Sequence, residues 1–319
     1  MKKSLLLLAL TWIIAVFSLP ANGHVGENPY LIYAFADEDL PDLHDGTLSD
    51  WLNVFPGPTL TEVDFGSLDV GEGASIGAPD LSAHIYLGWN KSQNRIYAAI
   101  ERFDDLLINE YQATDPQGIG AFDSIECMVD GDHSGGQYAN FNTLSLTDCE
   151  LSVEQAFADS VLEADELDCI RPQYFNHRHA QLYQGMVTPS LGGLLAIAEQ
   201  SRVWANAIPY SDIGGFVDPV NPQRTVIELM VTPYDSLDTR GPAYSLESVL
   251  EIGKTIGFQF SLADFDSGVY HGFHTLGGQA DTWRDADTFV DGELLGTPAP
   301  TSMQGDSWGR IKASLQNPP

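Results

Sequence analysis

The chain has 319 residues, with 45 acidic against 14 basic side chains and a formal charge of −31 at neutral pH. Such a surface repels phosphate backbones and anionic lipid, which excludes nucleic acid and charged membranes as electrostatic partners. A hydrophobic share of 43% argues against a disordered chain.

Lys2 and Lys3, the apolar run from Leu5 to Phe17 and the small residues Ala21-Asn22-Gly23 form a signal peptide pattern. The mature chain is expected to begin near His24 and to be secreted, periplasmic or held at the cell surface. A retained anchor is the alternative, but the run is short for a bilayer. No later segment is apolar enough to insert in a membrane. The expected organisation is a signal peptide over residues 1–23, one β-sandwich domain over 24–296 with an insertion at about 146–180, and a linker and tail over 297–319.

Pro29 to Ala36 reads as a first strand, followed by a turn at Asp45-Gly46 with Trp51 packing beneath it. Residues 53–80 are rich in glycine, proline and acid, and read as a long loop with room for one short strand. Ala83–Trp89 and Arg95–Phe103 form the clearest hairpin, joined by the polar Asn90–Asn94 connection. In its second strand Ile96, Ala98 and Ile100 share one face, and Tyr97, Ala99 and Glu101 the other. Asp104 and Asp105 follow at once.

Phe122 to Tyr138 carries the strongest local signal. Ile125, Cys127 and Val129 alternate with Ser124, Glu126 and Met128, and the strand runs into Asp130-Gly-Asp132-His-Ser134-Gly-Gly. Oxygen donors on alternate residues of a tight turn can converge on one point, and Ca²⁺ takes carboxylate, hydroxyl and carbonyl oxygens. Asp130, Asp132 and Ser134 are therefore candidate ligands. The loop is not an EF-hand, because the twelfth position holds Phe141 instead of a glutamate. A second cluster, Asp264 and Asp266, ends another apolar run. Asp104 and Asp105 could complete either site from a neighbouring strand.

Another strand is expected over 138–145, and a short helix within 151–164. Three cysteines, Cys127, Cys149 and Cys169, allow one bridge. Cys149 and Cys169 share an irregular polar segment and are the favoured pair, with Cys127 a buried thiol. Further strands are expected at 181–187, 194–208, 224–232, 255–262 and 269–276. A turn is expected from Pro209, two helical turns at 244–250, and loop from 279 to 296. Strands of this length with turn signals between them predict an antiparallel β-sandwich.

The motifs in order resemble the family 9 carbohydrate-binding-module-like domains of the wider DOMON-like group. They are Asp45-Gly-Thr-Leu-Ser-Asp50-Trp51, Asn94-Arg-Ile-Tyr-Ala-Ala-Ile-Glu-Arg-Phe-Asp104-Asp105, Asp123-Ser-Ile-Glu126, Val226-Ile-Glu228 with Pro233-Tyr-Asp-Ser-Leu237, and Gly253-Lys-Thr-Ile-Gly257-Phe leading to Asp264-Phe-Asp266. The resemblance implies a jelly-roll β-sandwich, export, bound calcium and sugar recognition by aromatic side chains. The chain is longer than the bare module, chiefly at 53–80 and 146–180.

A sugar needs a flat apolar face and polar partners for its hydroxyls. Trp89, at a hairpin end beside Asn90, and Trp283, in a polar loop beside Arg284, are the platform candidates, while Trp51 and Trp204 read as core. No residue stands out as catalytic: there is no Gly-x-Ser-x-Gly elbow or His-Glu-x-x-His helix, and with 45 acids a glycosidase-like carboxylate pair arises by chance. His177 with His179, and His271 with His274, are possible transition-metal pairs. The expected function is an exported, non-catalytic carbohydrate-binding protein with calcium-stabilised loops, taking a polysaccharide or cell-surface glycan. The alternatives are a structural or adhesive envelope protein of the same fold, a glycoside hydrolase, or a haem-binding DOMON-like protein, for which no axial Met–His spacing stands out. Oligomeric state is not legible.

Overall fold

The computed structural model describes residues 24–55, 57–68, 76, 77, 80–109, 119, 122–136, 138, 179–188, 192–197, 204–221, 223–238, 241–266 and 269–298. The expected signal peptide, the C-terminal tail, the Cys149–Cys169 pair, the helix at 151–164 and nearly all of the strand at 138–145 lie outside these residues.

Among the described residues the elements are strands with one short α-helix and several single 3-10 turns. β1 (Val25–Ala34) is followed by α1 (Ser49–Val54), then β2 (Leu60–Thr61) and β3 (Phe65–Leu68). β4 (Leu81–Asn90), β5 (Arg95–Asp104) and β6 (Ile125–Asp130) come next. β7 (Ala180–Thr188), β8 (Gly192–Ile197), β9 (Ser211–Val217) and β10 (Arg224–Val231) follow. β11 (Tyr234–Ser236) pairs with β12 (Leu246–Glu247) as a separate ribbon. β13 (Thr255–Asp266), β14 (Val269–Leu276) and β15 (Val290–Leu294) complete the chain.

Hydrogen bonds run through the order β8-β7-β6-β13-β15-β1-β4-β5-β10-β9. β1 joins the two halves, pairing with β15 at Val25 and over Tyr30–Ile32 and with β4 over Tyr33 and Ala34. The outer strands β8 and β9 almost meet. A Cβ added to Gly193 would lie 2.9 Å from the backbone of Gly214, so the contact requires glycine. The result is a mixed, nearly closed barrel-like sheet. The antiparallel jelly roll expected from the sequence is corrected on one point: β1 runs parallel to both β15 and β4.

The alternation in the hairpin sorts as the period of two requires. Ile96, Ala98 and Ile100 join Ile85, Leu87, Trp89, Ile227, Leu229 and Val231 in the main core, with Ile125, Cys127, Val129, Phe258 and Phe260 from the opposite half. Each fully buried Ile or Leu contributes about 1.5–3 kcal/mol. Tyr86, Tyr97, Ala99 and Val226 face the other way and are covered by Phe35, Leu43, Leu48, Trp51 and Phe55. A third cluster puts Met128, Ala180 and Leu182 under Tyr138, Ala286 and Phe289.

Two local expectations, at 211–217 and 290–294, fail for one physical reason: glycine inside a strand carries the same local signal as a turn. Ser211–Val217 is strand β9, although Asp212, Gly214 and Gly215 look turn-like. A Cβ at Gly214 would fall 1.6 Å from the carbonyl oxygen of Leu43, so the residue admits the covering segment. Val290–Leu294 is strand β15 in mid-sheet, and its Gly292 lets Ile32 and Phe258 pack closely. Residues 204–206 form a 3-10 turn and do not continue a strand. The helical turns expected at 244–250 are replaced by β12 after a 3-10 turn at Pro242–Tyr244.

Candidate functional site: an acidic cluster at the strand ends

Asp104 ends β5 and Asp264 and Asp266 end β13, and the topology brings these ends together. Asp104, Asp264 and Asp266 each offer a carboxylate oxygen within 4.8 Å of the other two. Asp80 and Asp105 form a second such group with Asp266, and Asp80 a third with Asp264 and His271. Four sequence candidates thus meet: Asp104, Asp105, Asp264 and Asp266. Asp80, Asp123 and Arg102 carry no sequence expectation of a site role, and His271, expected only as a possible transition-metal partner of His274, joins the aspartates instead. Asp80 lies in the acidic stretch that read as loop, and Arg102 reads in sequence as an ordinary strand residue.

Arg102 is the organising cation and is 2% exposed. Its Nε donates to Asp104 at 2.8 Å, Nη1 to the Ala263 carbonyl at 2.7 Å and Nη2 to Asp123 at 3.0 Å. Nη2 also contacts Asp104 closely and lies 3.7 Å from Asp264. Asp123 in turn accepts from the backbone N–H groups of Phe265, at 2.7 Å, and Ile108. One guanidinium therefore faces three buried carboxylates.

The imbalance shows in the proton affinities. Burial, only partly offset by Arg102, pushes Asp123 up to about 7. Burial, with repulsion from Asp104, Asp80 and Asp266, outweighs Arg102 and raises Asp264 to about 6. Burial and the neighbouring acids also raise Asp266. His271 approaches Asp266 at 2.9 Å and Asp264 at 3.4 Å; burial lowers its proton affinity, but these carboxylates and Asp80 outweigh that and raise it. Asp264 Oδ2 and Asp266 Oδ1 are buried without a hydrogen bond. An under-neutralised group of aspartate oxygens fits a hard divalent cation such as Ca²⁺, with Asp80, Asp104, Asp105, Asp264 and Asp266 as the available donors.

The other predicted calcium loop is arranged differently. Asp130 is buried, and its Oδ2 accepts from Gly135 N–H at 2.8 Å and lies 3.3 Å from His24 Nε2. Burial alone would raise Asp130, but contacts with His24, the Asp132 carboxyl and the Gly135 N–H hold it well below the usual carboxylate range. Asp132 is exposed, and its Oδ1 closes the turn by accepting from Ser134 N–H at 3.1 Å. Ser134 is exposed. Among the described residues, Asp130 and Asp132 meet no third carboxylate, and Asp130 is held by His24 and the Gly135 N–H.

The tryptophan candidates separate. Trp89 has no exposed surface, and its indole N–H donates to the Leu295 carbonyl at 2.8 Å. Asn90 is buried as well; its amide donates to the Phe35 carbonyl and to Asp37, and its Oδ1 accepts from Gln93 N–H, which organises the hairpin turn. Both are corrected to structural roles, because an inward-facing strand end hides them. Trp283 is 45% exposed, with the Arg284 guanidinium 5.1 Å from its ring centre and paired to Asp281 at 2.8 Å. Trp51 is core, as expected, and donates to Glu228 at 2.6 Å. Trp204 packs on Tyr210 and Tyr234. His271 and His274 do not converge, being three apart on a strand and so on opposite faces; His274 Nδ1 meets Ser67 Oγ at 2.8 Å. His177 lies outside the described residues.

The fold and the cluster together define an acidic, mostly β protein with a group of carboxylates at its strand ends that could bind a metal. The chain is similar in structure to a family 9 carbohydrate-binding module from Caldicellulosiruptor kristjanssonii in complex with cellotriose, at a TM-score of 0.49 and 12% identity over 86% of this chain and 97% of that one. The same module in complex with glucose matches at a TM-score of 0.48 and 12% identity, over 84% and 97%. No family model matches the chain, and no curated protein matches it.

Proposed function

We propose that the chain is an exported, non-catalytic carbohydrate-binding sandwich whose strand-end loops are held by Ca²⁺. The observation that carries the cation is the buried Asp264, whose Oδ2 makes no hydrogen bond, grouped with Asp104 and Asp266 where one arginine faces the three buried acids Asp104, Asp123 and Asp264. Two of the motifs behind the sequence resemblance also meet in space, through the Trp51–Glu228 hydrogen bond. For the glycan, support comes from Trp283: an exposed indole, flanked by an arginine that can bond hydroxyls, meets the physical need for a flat apolar face with polar partners.

Calcium is tested by melting the protein with and without chelator. A cation that binds only the folded form at a hundred times its dissociation constant adds about 2.7 kcal/mol. The expected fall on chelation is roughly 5–10 °C for a chain of this size. An unchanged melting temperature rejects the calcium reading.

The glycan is tested on an array in calcium buffer. Binding is expected to cello-oligosaccharides or another polysaccharide, and Trp283→Ala is expected to weaken it roughly tenfold or more. An array on which nothing binds favours the second reading, a structural or adhesive protein. That reading has its own support in the exposed apolar side chains Tyr244, Leu246, Val249 and Ile252 on one segment.

A further inference from the structure

Asp130 of β6, Gly257 of β13 and Asp291 of β15 stand side by side in register across three adjacent strands. Laterally paired residues point to the same face of a sheet. The two carboxylates therefore flank a glycine, and the imidazole of His24 lies over that glycine. A Cβ on Gly257 would fall 2.2 Å from His24 Cε1, so the row is a cradle that only glycine leaves open.

The ring is held from both sides. Its Nε2 lies 3.3 Å from Asp130, and its Nδ1 lies 3.1 Å from Asp291 Oδ1. His133 reaches the same Asp291 oxygen through Nε2 at 2.8 Å, from a backbone at φ 58°, a left-handed conformation uncommon for histidine. The two imidazoles meet edge to face at 4.1 Å. His24, His133 and Asp291 each offer a ligand atom within 4.8 Å of the others.

We propose that His24 Nδ1, His133 Nε2 and a carboxylate oxygen of Asp291 bind a divalent transition metal of the zinc and copper class. The site is chemically distinct from the aspartate-rich cluster, since two imidazoles and one carboxylate suit zinc or copper and not calcium. A tetrahedral ion with bonds of about 2.0–2.1 Å holds its donors about 3.3 Å apart, so small side-chain rotations close the shell. Asp130 then has the place that outer carboxylates take around metal-bound histidine: it faces the ring nitrogen that does not ligate, and it is itself fixed by the Gly135 N–H. His24 is buried while His133 and Asp291 are part-exposed, which leaves the remaining coordination position toward solvent. Leader removal after Gly23 would free the α-amino nitrogen of His24 as a further donor beside Nδ1.

The test is titration of the metal-stripped full chain with Zn²⁺ and, separately, Cu²⁺, both with excess Ca²⁺ present. Binding that calcium does not displace is expected, and the Cu²⁺ spectrum should show nitrogen coordination. His133→Asn keeps a residue that tolerates the left-handed backbone. It and Asp291→Asn are each expected to weaken binding more than Asp130→Asn, which should cost roughly 10–100-fold. Circular dichroism of each apo variant checks that the fold survives. No binding by the parent chain, or binding that neither His133→Asn nor Asp291→Asn changes, overturns the proposal and leaves the group as a plain histidine–carboxylate network. Neither outcome bears on the calcium or glycan tests.

Discussion

Replacing Arg102 with Met is expected to destabilise the protein by about 3–5 kcal/mol, the usual cost of leaving buried charge uncompensated. Met matches much of the stem volume, so packing accounts for little of the loss. What remains is Asp104, Asp123 and Asp264 at one point with no guanidinium among them, and an Ala263 carbonyl without its donor. The same reasoning couples the arginine to the cation. Both neutralise the cluster, so the loss should be smaller in saturating Ca²⁺ than in chelator, and Ca²⁺ should bind the variant more tightly than the parent. Denaturant melts of both proteins in both buffers measure this. A loss of the same size in the two buffers would mean that the guanidinium and any bound calcium act independently.

Glu228→Gln is expected to stabilise the protein at pH 8 and to have no such effect at pH 5. Glu228 is buried under Trp51, and burial, with repulsion from Asp45, Asp50 and Asp42, outweighs the indole hydrogen bond and raises it from 4.5 to about 7. The sign follows from linkage. Between those two values the folded state holds a proton that the unfolded state has released, so stability falls as pH rises through this window. Above pH 7 the ionised carboxylate costs the full displacement, about 3 kcal/mol as an upper bound. Gln keeps an oxygen to accept from Trp51 and carries no charge. Thermal melts from pH 5 to 8 decide the matter. A variant less stable than the parent at pH 8, in chelator, would show that the fold uses this group ionised.

The motif residues that suggested a carbohydrate-binding family prove to be anchors of the sandwich. Trp51 and Glu228 pin the covering segment to the outer face of β10. Asn94 takes a left-handed turn at φ 55° and caps the 248–250 segment through both ends of its amide. Asp123 ties β13 to the turn before β6. Each acts within the fold through its own hydrogen bonds. Trp89 shows the limit: a tryptophan beside a polar turn reads as a platform, yet the strand's alternation turns it inward.

Period-two alternation, the acidic balance and the aspartate pairs at strand ends were all determined by the amino-acid order, because they depend on neighbours within a few residues. The β-rich fold, its main core faces and four carboxylates of the acidic cluster followed from them. Folding alone decided that Arg102 would sit among those carboxylates, that β1 would run parallel to β15, and that His24 would lie over Gly257 between Asp130 and Asp291. These pairings join residues more than a hundred positions apart in several cases. Their partners are selected by strand order and lateral register, which no local pattern of side chains encodes.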